Sequence, residues 1–155
     1  MALPCMCTSV CNCDEEGAFT PPRAADGVKE QVMSRVLVVD DDPQILRMLQ
    51  MWLEREGHEV FLAEDGHDAL NIVDWAPDCI DLMITDIVMP EKEGLELIME
   101  LKKKVRRLPI IAISGGGDLS SYSYLKMARM LKADRAFRKP LDMQELLTAV
   151  SELTG

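Results

Sequence analysis

Short apolar runs alternate with amphipathic segments from Ser34 to the C-terminus, and this alternation constrains the possible folds more than any other feature of the sequence. The first run, 35–39, is rich in valine and has no polar residue after Arg35, which is typical of a strand buried on both faces. Further strands are predicted at 59–63, 79–85, 109–113 and 136–138. Strands that are separated by helices run parallel to one another. The sequence therefore predicts an α/β fold in which five parallel strands form one doubly wound (βα)₅ sheet.

The predicted helices have recognisable starts and ends. Asp42 and Pro43 combine an N-cap side chain with a proline at the first helical position, and Gly57 ends the same helix. Asp142 and Glu145 have the spacing of a capping box at the start of the last helix. Asp65-Gly66 is predicted as a turn into the second helix, which Pro77 closes. The third and fourth helices are predicted at 94–105 and 119–131.

Length and charge exclude several classes of protein. The 155 residues suit one compact domain, and the net charge of −10 argues against a nucleic-acid-binding surface. The basic run at 102–107 is interpreted as the solvated end of a helix. No apolar stretch approaches the roughly 20 residues needed to cross a bilayer, and the N-terminus does not have the pattern of a signal peptide. A cytoplasmic protein without a membrane partner is expected.

Residues 1–33 differ from the rest of the chain. They contain proline, glycine and acidic residues without a helical or strand period, which predicts a disordered tail before a domain at 34–155. Four cysteines lie in this tail, at positions 5, 7, 11 and 13. They could bind a soft metal or form disulfides. The preferred interpretation is a start-site artefact or an inert tail, because Met33 would be a natural translation start.

Polar side chains follow four of the predicted strands. Asp40 and Asp41 come after the first strand, Asp86 after the third, Ser114 after the fourth and Lys139 after the fifth. In an open parallel sheet these carboxyl ends lie at one edge, where such sheets bind their ligands. Three carboxylates, one hydroxyl and one ammonium are therefore expected to converge.

The chemistry of this group favours a hard cation and phosphoryl transfer. Three clustered carboxylates repel one another unless a cation lies among them, and oxygen ligands together with phosphate suit Mg²⁺. A carboxylate can also act as a nucleophile towards phosphorus, with the ammonium and the hydroxyl neutralising charge on the phosphoryl oxygens. Taken singly, each residue could instead be a helix cap, a turn residue or a surface lysine.

Three motifs make the chain resemble a response-regulator receiver domain of two-component phosphorelays. They are Val-Leu-Val-Val-Asp-Asp-Asp-Pro at 36–43, Ile-Thr-Asp-Ile-Val-Met-Pro at 84–90 with Gly94 following, and Arg-Lys-Pro at 138–140. The resemblance covers about 34–154. It implies a flavodoxin-like sheet with strand order 2-1-3-4-5 and a phosphoprotein that receives its phosphoryl group from a histidine kinase or a histidine phosphotransfer protein.

The resemblance also implies a role for each site residue. Asp86 would be the phosphoacceptor. Asp41 would bind Mg²⁺ directly, Asp40 mainly through water, and the backbone carbonyl of Val88 would be a further ligand beside Asp86.

Two further residues are implied to contact the phosphoryl group. Ser114 would move towards the group when it arrives, and Lys139 would pair with it. The Lys139–Pro140 peptide is expected to be cis. The residues that influence self-dephosphorylation in this family correspond to Val88 and Gly116. Neither side chain can hydrogen-bond a water molecule, so slow loss of the phosphoryl group is predicted.

One position departs from the family pattern. Relatives often have an aromatic residue three positions before the lysine, and here that residue is Ala136. Phe137, or one of the tyrosines at 122 and 124, could replace it, and the sequence does not decide among them.

The predicted output is a separate partner, or the domain is a phosphoryl shuttle, because no further domain follows the last helix. The partner would bind the face formed by the fourth helix, the fifth strand and the last helix. The chain is expected to catalyse only its own phosphorylation and dephosphorylation. The alternatives are a phosphorylation-independent pseudo-receiver and a Mg²⁺-dependent hydrolase, which would need a general acid at the position of Val88. The kinase, the target, the signal and the oligomeric state are not predicted.

Overall fold

The computed structural model describes residues 33–89, 94–105, 107–115 and 132–155, together with the single positions 123, 126 and 129. The predicted tail up to residue 32, the glycines at 116 and 117 and most of the predicted helix at 119–131 lie outside these ranges, although 123, 126 and 129 are helical and exposed. The described strands are β1 Arg35–Val39, β2 Glu59–Ala63, β3 Leu82–Asp86, β4 Ile110–Ser114 and β5 Arg135–Arg138. The described helices are α1 Pro43–Arg55, α2 Gly66–Trp75, α3 Gly94–Lys104 and α4 Met143–Thr154.

The five strands form one parallel sheet in the order β2-β1-β3-β4-β5, which confirms the predicted order. Apolar side chains cover both faces of this sheet, because β1, β3 and β4 are buried almost throughout. On one face of the sheet, α2 and α3 pack against alternate strand residues such as Leu37, Met83 and Ile110, which form one core. On the other face, α1 and α4 pack against the strand residues between these, such as Val38 and Ile84, which form the second core. The sheet is therefore doubly wound, as the buried strand pattern indicates.

The ends of α1 show how local sequence sets the helix boundaries. The Asp42 side chain accepts a hydrogen bond from the Gln44 N–H at 2.8 Å, which satisfies one of the free donors of the first turn. At the other end Gly57 has a φ of 83°, and the N–H groups of Gly57 and His58 donate to the carbonyls of Glu54 and Leu53. This is a Schellman motif, in which glycine adopts the left-handed conformation without steric cost.

The third strand begins later than predicted. The sequence suggested a strand from Cys79, whereas a 3₁₀ turn occupies Pro77–Cys79 and β3 starts at Leu82. Asp81 separates the two, because its carboxylate accepts a hydrogen bond from the Arg35 N–H at 2.8 Å and pairs with the Arg35 guanidinium. The apolar residues before Leu82 therefore led to a predicted strand that begins three residues too early.

None of the helices in the described part of the chain is long and apolar enough to cross a membrane.

Candidate functional site

The carboxyl ends of β1, β3, β4 and β5 meet at one edge of the sheet. Asp40 follows β1, Asp86 and Ser114 end β3 and β4, and Lys139 follows β5. Asp40, Asp41 and Asp86 each offer a carboxylate oxygen, and these three atoms lie within 4.8 Å of one another. The structure thus brings together the residues that the sequence placed at consecutive strand ends.

Lys139 bridges two of the three carboxylates. Its Nζ lies 2.9 Å from Asp40 Oδ2 and 2.9 Å from Asp86 Oδ2. The Asp40 side chain is 1% exposed, the Asp86 side chain 8% and the Lys139 side chain 21%. Ion pairs with this little exposure are screened weakly by solvent. One ammonium pairs with two buried carboxylates here, which leaves one negative charge without compensation from Lys139.

Backbone N–H groups hold the other oxygens of these carboxylates. The Asp42 N–H donates to Asp40 Oδ1 at 2.8 Å, and the Val88 N–H donates to Asp86 Oδ1 at 3.0 Å. Each carboxylate is therefore fixed at both of its oxygens, and the orientation of Asp86 is set before any ligand arrives.

Burial is the largest single influence on the pKa values of Asp40 and Lys139. It raises the pKa of Asp40 above its ordinary value; hydrogen bonds from Lys139 and the Asp42 N–H oppose this, and the Asp86 charge adds a smaller increase. For Lys139, burial alone would lower the pKa, but hydrogen bonds to Asp40 and Asp86 outweigh it, so the pKa is raised. Lys139 is thus held in its charged form. Repulsion from the Asp86 carboxylate, which the sequence analysis also expected, raises the pKa of Asp40 less than burial does.

The donor set fits a divalent cation that prefers oxygen. The group that could hold a metal consists of carboxylates alone, and Asp41 is exposed to solvent while Asp40 and Asp86 are buried behind it. Carboxylate oxygens suit Mg²⁺, which needs only one or two of them and keeps several waters. Val88 lies beside this group, where its N–H already binds Asp86; its carbonyl as a ligand remains a prediction.

Ser114 is completely buried, and its Oγ has no hydrogen-bond partner among the residues that the structure describes. Its carbonyl accepts a hydrogen bond from the Lys139 N–H at 2.8 Å, which ties the two residues together. A buried hydroxyl without a partner carries a cost that an incoming oxygen ligand would remove. The structure therefore places a buried hydroxyl without a described partner at this edge.

The structure separates Phe137 from the aromatic position of the family. Ala136 packs against the core under α2 and α3, whereas Phe137 packs against the core under α1 and α4. Neighbouring residues of a strand point to opposite faces, so Phe137 does not substitute for an aromatic side chain at 136. The tyrosines at 122 and 124 lie outside the described residues. The Lys139–Pro140 peptide is cis, as the resemblance implies.

Two glycines were not recognised from the sequence as part of the site. A Cβ atom at Gly115 would lie 3.1 Å from Lys139 Cδ, so the lysine stem packs directly on this backbone. A Cβ atom at Gly94 would overlap the Asp86 carbonyl oxygen, so α3 begins directly against the strand end that carries Asp86. Gly94 could have been recognised from the sequence, because it follows the motif that contains Asp86 and belongs to the resemblance described above.

Comparison with known proteins agrees with this geometry. Residues 36–151 match the family model of the response regulator receiver domain. The transcriptional regulatory protein CpxR of Escherichia coli K12 is 32% identical over 118 residues, which are 76% of this chain and 48% of CpxR. The response regulator SaeR of Staphylococcus aureus is 30% identical over 121 residues, covering 78% of this chain and 50% of SaeR. The chain therefore spans about half the length of the curated relatives it matches.

Solved structures extend the similarity to the fold. A receiver domain protein from Clostridium thermocellum has a TM-score of 0.73 and 31% identity, and the match covers 79% of this chain and 94% of that one. The response regulator TrrA of Thermotoga maritima, solved in complex with Mg²⁺-BeF, has a TM-score of 0.66 and 36% identity over 78% of this chain and 99% of TrrA. Sequence motifs, strand order, site geometry and these matches agree: the chain belongs to the response-regulator receiver domain family, the signalling module of two-component systems.

Proposed function

We propose that Asp86 accepts a phosphoryl group from a histidine kinase or a histidine phosphotransfer protein, with Mg²⁺ bound beside it, and that the domain thereby acts as a signalling switch. The observation that carries the proposal is the position of the Lys139 ammonium, 2.9 Å from both Asp86 and Asp40 within a trio of carboxylates. This arrangement provides a nucleophile, a fixed positive charge and a cation site at one edge.

In the proposed reaction a carboxylate oxygen of Asp86 attacks phosphorus. A bond from phosphorus to that oxygen forms while the bond from phosphorus to the donor breaks, and the donor leaves with the bonding electron pair. A phosphohistidine donor leaves as imidazole, which requires one proton from solvent, whereas acetyl phosphate leaves as acetate and requires none. The Val88 N–H and Lys139 hold the Asp86 carboxylate in place for this attack.

Several residues of the site would together stabilise the negative charge on the phosphoryl oxygens. Asp41, Asp40 and Asp86 would hold Mg²⁺, together with the proposed Val88 carbonyl. Bound Mg²⁺ neutralises charge that develops on the phosphoryl oxygens. Lys139 supplies a second positive charge, and Ser114 Oγ offers a hydrogen bond that no described residue uses. Phosphorylation would draw Ser114 and Lys139 towards the new group and shift the population of their loops.

The phosphorylated form is proposed to persist. Val88 follows Asp86 by two positions, its side chain is half-exposed beside the site, and it has no group that could position a hydrolytic water. Gly116, the second position that influences this step, lies outside the described residues. A phosphorylated form that decays within seconds in Mg²⁺ buffer would contradict this part of the proposal.

The output is proposed to pass to a partner protein, or to a further phosphorelay component if the domain acts as a shuttle. The proposed contact surface is the face of the predicted helix at 119–131, β5 and α4, since β5 leads directly into Lys139. We place this exchange in the cytoplasm. The competing function is a pseudo-receiver that binds partners without phosphorylation; the complete set of carboxylates, lysine and serine at one edge favours the phosphorylated switch over it.

Intact-mass measurement after incubation with acetyl phosphate and Mg²⁺ tests the proposal. We expect one added phosphoryl group in the wild type, none in Asp86→Asn, and a normal adduct in the control Asp78→Asn, because Asp78 is an exposed aspartate in the 3₁₀ turn. Absence of any adduct in the wild type would favour the pseudo-receiver. Continuous release of phosphate without an adduct would favour a hydrolase.

A further inference from the structure

The backbone carbonyl of Asp86 is held by the residue that precedes it. Thr85 is 0% exposed, and its Oγ1 donates a hydrogen bond to the Asp86 carbonyl oxygen at 2.9 Å. Thr85 points to the face of the sheet opposite to the Asp86 side chain, because adjacent strand residues alternate. A buried hydroxyl is costly unless it is bonded, and here its bond goes to the residue proposed to carry the phosphoryl group.

The start of α3 lies against the same strand end. The Gly94 N–H donates to the Ile87 carbonyl, in the next peptide along the chain, at 2.8 Å. A Cβ atom on Gly94 would overlap the Asp86 carbonyl oxygen and would lie 2.8 Å from Ile87 Cα. Only a residue without a side chain allows the helix to approach this closely. The Thr85 hydroxyl and the Gly94 backbone therefore both contact the peptide that joins Asp86 to Ile87.

This peptide connects the nucleophile to its hydrogen-bond donor. The Val88 N–H that binds Asp86 Oδ1 is one residue beyond Ile87, and the Ile87 N–H donates to the Ile113 carbonyl at 2.8 Å. A rotation of the Asp86–Ile87 peptide would move the Asp86 carboxylate relative to Lys139 and would also displace the Val88 donor. The hydrogen bond from Thr85 and the close approach of Gly94 to the Asp86 carbonyl oxygen both restrict such a rotation.

We infer that Thr85 and Gly94 are positioning residues for phosphoryl transfer, which act by fixing the peptide carbonyl of Asp86. The inference rests on the proposed function of Asp86. Neither residue touches the phosphoryl group, so their effect is on the rate at which a bound donor reacts and not on the binding of the donor. In the test reaction the bond from phosphorus to Asp86 forms while the bond from phosphorus to acetate breaks, and acetate leaves with the electron pair and without a proton.

The central test replaces the hydroxyl while keeping the shape of the side chain. Thr85→Val removes the bond to the Asp86 carbonyl, and Thr85→Ser retains it. With acetyl phosphate and Mg²⁺, we expect the maximal phosphorylation rate of Thr85→Val to fall by about three- to tenfold, because small displacements of a nucleophile are costly. The half-saturating concentrations of acetyl phosphate and Mg²⁺ should stay unchanged, and Thr85→Ser should restore the rate.

A matched control makes the same chemical change away from the site. Thr148 donates its Oγ1 to the Gln144 carbonyl at 2.8 Å on the exposed side of α4. Thr148→Val should therefore phosphorylate at the wild-type rate. Gly94→Ala, if it folds with an unchanged circular dichroism spectrum, should slow the maximal rate at least as much as Thr85→Val.

The outcomes separate this inference from the proposed function. A wild-type protein that accepts no phosphoryl group ends both. A normally phosphorylated wild type with an equally fast Thr85→Val overturns only the positioning role. The role is also overturned if Thr85→Ser is as slow as Thr85→Val, or if Thr85→Val lowers only the unfolding temperature and leaves the rate intact.

Discussion

At the scale of single residues, the Lys139 ammonium forms ion pairs with two carboxylates of the site. These are Asp40 and Asp86, two carboxylates with almost no exposure to solvent. Removing one partner of a buried ion pair leaves an uncompensated charge, and here it would leave two. Lys139 is therefore expected to contribute to stability as well as to the proposed phosphoryl transfer.

Lys139→Met keeps the length of the side chain and removes its charge. In the presence of a chelator we expect the free energy of unfolding to fall by about 2 kcal/mol, less than for a fully buried pair because the Lys139 side chain is partly exposed. The control Lys103→Met, on the exposed side of α3, should change it by less than about 0.5 kcal/mol. Urea unfolding of both variants measures the difference, and equal stabilities would refute the assignment.

His58 links stability to pH far from the site. Its side chain is half-buried, and its Nδ1 accepts a hydrogen bond from the Ser34 N–H at 3.3 Å. Burial lowers the pKa of His58 below its ordinary value of 6.5, and the Glu56 charge opposes this only in part. The unfolded chain therefore binds more protons in this range, and the stability due to neutral His58 is lost as the pH falls below about 6.5.

We expect His58→Gln to reduce this pH dependence, because glutamine has no proton to gain in this range. Wild type and variant should differ in the slope of unfolding free energy between about pH 5.5 and about pH 7.5, with the wild type losing more stability towards acid. Denaturant unfolding at several pH values gives both slopes. Parallel curves would show that His58 does not titrate with folding.

At the scale of elements, β5 connects the site to the core under α1 and α4. Phe137 packs on that core while Ala136 packs on the other, so the side chain that relatives use as an aromatic switch has no equivalent on β5. Phe137 is therefore a packing residue. This conclusion follows from the two-residue period of a strand and could have been reached from the sequence once the strand was located.

Phe137→Leu tests whether Phe137 has only a packing role. It should lower the free energy of unfolding by about 1 kcal/mol, because a partly buried ring is replaced by a smaller side chain. The increase in unfolding temperature on adding Mg²⁺ and beryllofluoride should remain as in the wild type. Loss of that increase with stability otherwise retained would assign Phe137 to the switch.

The sequence predicted the elements whose signals are local. Asp42, Gly57 and Asp142 mark helix ends through hydrogen bonds to residues two or three positions away, and each is found at the predicted boundary. The start of β3 was wrong because Asp81 is fixed by Arg35, which is distant in the chain. The contact of Gly94 with the Asp86 carbonyl was not predicted for the same reason, because it depends on the tertiary packing of α3 against the end of β3.

At the scale of the whole molecule, the carboxyl ends and the amino ends of the parallel strands carry different groups of charged residues. The carboxyl ends hold the acidic site, while ion pairs join neighbouring elements at the opposite edge. Among the described residues, these pairs are Arg35 with Asp81, Lys102 with Asp134, Lys104 with Asp74, and Arg135 with Glu152. Such partly exposed pairs contribute little individually, about 0–1 kcal/mol each. Most of the stability therefore comes from the two apolar cores.

The domain boundary proposed from the sequence predicts that residues 34–155 fold without the segment before them. Produced alone, this fragment should match the full chain in its free energy of unfolding and in its rate of phosphorylation, because both cores and the site lie within it. Denaturant unfolding of the two forms compares them. A fragment that is clearly less stable would show that earlier residues belong to the folded unit.

The most direct measurement is to locate the phosphoryl group in the chain. Borohydride reduction of the phosphorylated protein converts an aspartyl phosphate to homoserine, and peptide sequencing by mass spectrometry then identifies the position. We predict homoserine at position 86 after incubation with acetyl phosphate and Mg²⁺, and none when Mg²⁺ is removed by a chelator. Homoserine at position 40 or 41, or an unmodified Asp86 in a protein that carries phosphate elsewhere, would contradict the assignment.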